Sequence, residues 1–145
     1  MRFIVTLVFF LVFGANVQSQ SNGIHWKSIQ EVESLQKQEP RKVLIDVTAE
    51  WCGWCKIMDK KTFTDRDVFE YVNENFYAVK MDYDKTGPFK LNGKQYSPQV
   101  LAREQNISGL PALVFINEDY SLIIPSEGYK KPKQLLSELI AFNEN

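Results

Sequence analysis

Val43-Leu44-Ile45-Asp46-Val47-Thr48-Ala49-Glu50-Trp51-Cys52-Gly53-Trp54-Cys55-Lys56 contains both cysteines of this 145-residue chain. An apolar run broken only by Asp46 leads into two thiols three positions apart. The run predicts a buried strand and the segment after it a helix, so the thiols sit at a strand-to-helix junction. The first thiol would then lie at a helix N-terminus, where unpaired N–H groups and the helix dipole stabilise a thiolate. The second would follow one turn later, placed to attack a mixed disulfide formed at the first. So short a loop removes little entropy from the unfolded chain, which argues against a purely structural bridge. A zinc site would need about four ligands, and the chain adds one histidine, His25, far away in sequence. Reversible redox chemistry is the reading these spacings favour, with half of a metal site as the alternative.

The N-terminus reads as a leader. Arg2 precedes the uncharged segment Phe3 to Phe13, and Val17-Gln18-Ser19 offers a signal-peptidase site. The apolar stretch falls short of the roughly 20 residues of a membrane span, although an uncleaved anchor is the competing reading. Residues 1–19 are thus expected to be a signal peptide and residues 20–145 one domain, exported to the periplasm or secreted. The remaining 126 residues suffice for one core and carry a net charge near −2. No basic stripe suggests nucleic acid, and no extended segment suggests anything beyond a monomer.

Outward from the motif, Trp26 to Gln38 has helical apolar spacing and ends before Pro40. A helix from about Cys52 to Lys61 follows the strand Lys42 to Thr48. Thr64 as N-cap and Asp67 as its capping-box partner predict the next helix, and Phe76 to Asp82 alternates as a second strand. Asp84 to Gln95 is polar and reads as an exposed loop. Ser97-Pro98 starts a helix that runs to about Gln105. Ala112 to Ile116 and Tyr120 to Ile124 read as a β-hairpin, and Lys131-Pro132 opens a last amphipathic helix. This order predicts an α/β domain, a mixed central sheet covered by helices on both faces. Independently, a lone Asp inside an apolar strand is costly without a role or a partner. Lys80 in the neighbouring strand is one candidate partner, and a strand-end position that reaches water is the alternative for Asp46.

The segment quoted above, together with Ile107-Ser108-Gly109-Leu110-Pro111-Ala112, resembles the thioredoxin superfamily over nearly all of the mature length. WCxWC, Trp26, Thr62-Phe63 and Gly128-Tyr129 are similar to an exported subgroup that resembles the C-terminal domain of periplasmic thiol–disulfide interchange reductases. The resemblance implies a thioredoxin-like fold in which Cys52 is the nucleophile, Cys55 the resolving thiol and the two together a redox-active disulfide. It implies that Asp46 is the buried carboxylate accepting a proton from Cys55. It further implies a cis peptide at Pro111, which turns Leu110 toward the chain of a bound substrate. Trp51, Gly53 and Trp54 complete the expected substrate-binding rim, and Glu50 is read as a solvated neighbour.

Together these residues point to a protein-disulfide reductase of exported, disulfide-containing proteins. The chain has no flavin or nicotinamide motif and no cofactor or metal is expected, so a membrane thiol reductant is the expected electron donor. The same chemistry run as an oxidase or isomerase is one rival. A non-enzymatic chaperone or metal-delivery protein using the pair as soft ligands is the other. Two departures from thioredoxin stand out: Trp54 replaces the proline of its usual dipeptide, and the stretch Asp84 to Gln105 is longer. That longer stretch is expected near Pro111, either setting partner choice or forming an inert insertion.

Overall fold

The computed structural model describes residues 22–145, so the leader reading for residues 1–19 lies outside the described residues. Strand β1 (Trp26–Lys27) is followed by helix α1 (Ile29–Gln36), the central strand β2 (Lys42–Thr48) and helix α2 (Gly53–Lys61). Helix α3 (Arg66–Asn75) and strand β3 (Phe76–Asp82) come next, then a hairpin of β4 (Phe89–Leu91) and β5 (Lys94–Tyr96). Helix α4 (Pro98–Glu104), strands β6 (Ala112–Ile116) and β7 (Ile123–Glu127) and helix α5 (Pro132–Asn143) complete the chain. Five strands form one sheet in the order β1-β3-β2-β6-β7. The first three run parallel, whereas β6 and β7 run antiparallel to their neighbours. The expected mixed sheet with helices on both faces is present.

Strand β2 is nearly continuous in apolar residues because it is covered on both faces. Its alternation decides what lies where. Val43, Ile45 and Val47 pack with Ile29, Val32, Leu101 and the β4–β5 hairpin. Leu44 packs with Met58, Val68, Val72, Leu135 and Leu139, from α2, α3 and α5. Asp46 shares the parity of Leu44, so the period of the strand aims its carboxylate at the face covered by α2.

Four local expectations need correction. Trp26 belongs to a strand, paired in parallel with Ala78. The helix starts only at Ile29, after Ser28 and Glu31 form a reciprocal capping box. Trp26 packs edge-on against Phe63 at 5.1 Å rather than forming part of a helical stripe. The N-cap of α3 is Asp65, which accepts from the N–H of Val68, while the Thr64 hydroxyl donates back to the Lys60 carbonyl. The supposed exposed loop contains the β4–β5 hairpin, whose Phe89, Leu91 and Tyr96 are buried. Asn92 and Gly93 at its tip have φ of 48° and 76°, as a tight two-residue turn between right-twisted strands requires. Finally, the hairpin after β6 resumes at Ile123 rather than Tyr120, which itself turns at φ 62°. Pro125 is tolerated in β7 because that strand is at the sheet edge.

Candidate active site

Cys52 is the N-cap of α2, with extended backbone, and its Sγ accepts from the N–H of Cys55 at 3.2 Å. Cys52 and Cys55 are disulfide-bonded, their Cα atoms 5.3 Å apart. With Ala49 they form a small apolar cluster against which Tyr83 and Leu110 pack. The Leu110–Pro111 peptide is cis, as the resemblance implied. The loop before β6 therefore delivers Leu110 to the disulfide, although 55 positions separate it from Cys55.

Both sulfur-bearing residues are nearly covered, Cys52 at 5 % exposure and Cys55 at 4 %. The adjoining indoles are the opposite, with Trp51 67 % and Trp54 59 % exposed. Each is nevertheless held. The Trp51 Nε1–H donates to Asp84 Oδ2 at 2.7 Å, and the Trp54 ring packs on Tyr129 at 5.4 Å. Between them Gly53 faces open space. Glu50 forms an exposed ion pair with Lys85 at 2.8 Å, an arrangement of little energetic weight.

Asp46 is only 2 % exposed. Burial disfavours its charged form and pushes its pKa up to about 7 from the ordinary 3.8, with Lys80 opposing and Asp59 reinforcing the rise. Lys80 is its register partner on β3, with Nζ 3.6 Å from Asp46 Oδ2. The same ammonium pairs with Asp59 and lies over the rings of Trp26 and Phe63, at 4.8 and 5.4 Å from their centroids. Asp46 thus has a partner, and the alternative of a strand end that reaches water fails. Sequence reasoning missed Asp59. Its spacing of four residues after Cys55, which places both on one helical face, was the signal that could have found it.

The Thr62-Phe63 and Gly128-Tyr129 motifs meet in space. The buried Thr62 hydroxyl donates to the Lys130 carbonyl at 2.6 Å, tying the end of α2 to the segment before α5. Gly128 takes φ 85°, a conformation disfavoured for side-chain-bearing residues, and its N–H donates to the Pro111 carbonyl at 2.8 Å. That bond hangs the cis-proline loop on the end of β7.

This architecture is shared with known proteins. A structure described as a DsbH oxidoreductase superposes with a TM-score of 0.65 at 18 % identity, covering 90 % of this chain and 94 % of that one. The C-terminal domain of DsbD from Neisseria meningitidis, in its reduced form, gives 0.56 at 22 % identity over 77 % of this chain and 94 % of that domain. In sequence, the thiol:disulfide interchange protein DsbD of Actinobacillus pleuropneumoniae serotype 5b (strain L20) is 29 % identical over 125 residues, 82 % of this chain. The chain spans about a fifth of that relative's length. Residues 16–141 match the family Thioredox_DsbH, described as a protein of unknown function, DUF255. With a thioredoxin fold, a cis-proline loop and a paired Cys52–Cys55 at the head of α2, the chain belongs to this Thioredox_DsbH family.

Proposed function

We propose that this chain is an exported thiol–disulfide oxidoreductase that reduces disulfides in other exported proteins. The observation that carries this reading is the Cys52–Cys55 pair at the N-terminus of α2, beside cis Leu110–Pro111 and next to a strand bearing the buried Asp46. Residues 1–19 act as the signal peptide and residues 20–145 as the working domain, a monomer in the periplasm or outside the cell. In the reduced protein the Cys52 thiolate attacks one sulfur of a target disulfide, forming a mixed disulfide and releasing the other sulfur as a thiolate. Cys55 then loses its proton to Asp46 and attacks Cys52 Sγ. The Cys52–Cys55 disulfide forms, the second target sulfur leaves, and the target has gained two electrons. Trp51, Gly53, Trp54 and Leu110 bound the surface on which the target chain lies, and Pro111 turns Leu110 toward it. A membrane thiol reductant restores the dithiol, which DsbD-like relatives support as the partner class.

The reduction potential of the pair tests the direction. A value near that of thioredoxin, roughly −270 mV, is expected, whereas one near roughly −120 mV would make the protein an oxidase. A second measurement tests the division of labour. After brief iodoacetamide treatment of the reduced protein at neutral pH, mass mapping should find Cys52 alkylated rapidly and Cys55 slowly. Burial does not separate the two residues, so the contrast must come from the helix terminus and from the Cys55 N–H aimed at Cys52 Sγ. Equal labelling would remove the assigned roles.

A further inference from the structure

Glu127 ends the edge strand β7 and lies in register with Ala112, the residue after the cis proline. Its side chain is on the surface, yet one oxygen, Oε2, accepts three hydrogen bonds from the loop that leads to that proline. The Ser108 N–H donates at 3.0 Å, the Ser108 hydroxyl at 3.0 Å and the Gly109 N–H at 2.9 Å. An exposed glutamate ordinarily keeps its rotamer freedom and its water. Three donors converging on one carboxylate oxygen make a charge-assisted clamp of the kind that fixes a loop. The same bonds hold the Glu127 carboxyl below the usual carboxylate range, so the clamp is charged at neutral pH.

The clamped residues are not remote from the chemistry. Ser108, Gly109 and Leu110 line a groove together with Trp51, Tyr83 and Ile107. Leu110 also packs on the Cys52–Cys55 cluster. The bond from Gly128 N–H to the Pro111 carbonyl holds the other end of the same loop. Before the cis peptide the Ile107 N–H donates to the Ala102 carbonyl at 2.8 Å, so Glu127 holds the stretch between that bond and the cis peptide. Gly109 has neither a side chain of its own nor one packed tightly on it, the nearest heavy atom to its would-be Cβ being Glu127 Oε2 at 3.9 Å. Ile107 and Leu110 pack on the core, whereas at the exposed Ser108 and Gly109 between them the restraint comes from Glu127.

We infer that Glu127 is a positioning residue for protein substrates, presetting the Ser108–Leu110 backbone as the edge along which a target chain lies beside Cys52. This rests on the reading that Cys52 attacks protein disulfides. A small disulfide that reaches Cys52 without lying along the loop gains nothing from the clamp. A polypeptide disulfide has to dock there first, and a loosened loop costs it orientation.

The experiment uses the full domain carrying Cys55→Ser, so that attack by Cys52 stops at the mixed disulfide, and compares insulin with Ellman's reagent. Adding Glu127→Ala should lower the ratio of the insulin rate to the Ellman's rate about tenfold. Glu127→Gln, which keeps an acceptor oxygen but loses the charge, should fall between. A merely structural role would shift both rates together or neither. A ratio unchanged in Glu127→Ala, or Glu127→Gln as impaired as Glu127→Ala, overturns the inference while leaving the proposed activity intact. If the Cys55→Ser parent forms no adduct with insulin at all, the proposed activity falls and this inference falls with it.

Discussion

Cys55→Ser is expected to accumulate covalent adducts with disulfide-containing proteins of its compartment, whereas Cys52→Ser accumulates none and loses disulfide reduction by at least about a thousandfold. The two residues are equally buried, one at 5 % and the other at 4 % exposure, so neither is favoured by access alone. What separates them is backbone geometry. Cys52 caps α2, where its Sγ receives the Cys55 N–H and the field of the helix terminus. Cys55 lies inside the first turn and gains neither. With Cys55 removed, the first attack proceeds and the mixed disulfide has no internal route to completion. Non-reducing gels of cells producing each variant, followed by mass mapping of the adducts, would show the contrast. Adducts formed by Cys52→Ser alone would reverse the roles.

Asp46→Asn should slow the resolving step roughly 10- to 100-fold and at the same time stabilise the oxidised fold by about 2 kcal/mol at pH 8. Both effects come from burial. A carboxylate at 2 % exposure is poorly solvated, and its pKa rises to about 7 although Lys80 stands 3.6 Å away. A group with that pKa can take the Cys55 proton near neutrality, and the amide cannot. The amide also avoids burying a charge, and Lys80 keeps Asp59 as its partner, so no cation is orphaned.

The pH dependence of this stabilisation has a definite sign. Folded Asp46 holds its proton up to about pH 7, while the ordinary carboxyl of an unfolded chain releases it near 3.8. Through that window the unfolded state sheds the proton first, so the wild type loses stability as pH rises and levels off above it. Below the window both states are protonated and the penalty is absent. The advantage of Asp46→Asn should therefore be absent near pH 3, grow between about pH 4 and 7, and then stay constant. Urea midpoints of the oxidised proteins across pH, beside turnover of insulin, measure both effects. An unchanged midpoint with unchanged turnover would make Asp46 a bystander.

Much of the site was legible because its signals are local. A continuous apolar run in β2, two thiols three apart and a proline before another apolar run each depend on neighbours in sequence. The resemblance carried by WCxWC and Ser108-Gly109-Leu110-Pro111 then implied the roles proposed for these residues. Some misreadings were failures to use local signals: Ser28 with Glu31 spells a capping box, and Asn92-Gly93 marks a hairpin tip. The polar character of 84–95 hid two buried apolar residues, Phe89 and Leu91. In a three-residue strand only every second side chain has to be apolar, so average composition misleads there.

By itself the sequence determined the chemistry of this protein: a dithiol at a helix start, an acid inside an apolar strand, and alternating elements able to bury both faces of one sheet. Those follow from periodicity and from residue type, which operate over a few positions. The tertiary structure alone decided how these parts meet. Parallel registry of β2 with β3 sets Lys80 beside Asp46, and the covering helix adds Asp59 to the same ammonium. Chain reversal at β6 and β7 brings Leu110 to the disulfide and Glu127 to the loop before it. Such contacts join residues 18 to 58 positions apart. They depend on strand order and on the packing of one layer against another, and no short-range pattern encodes either.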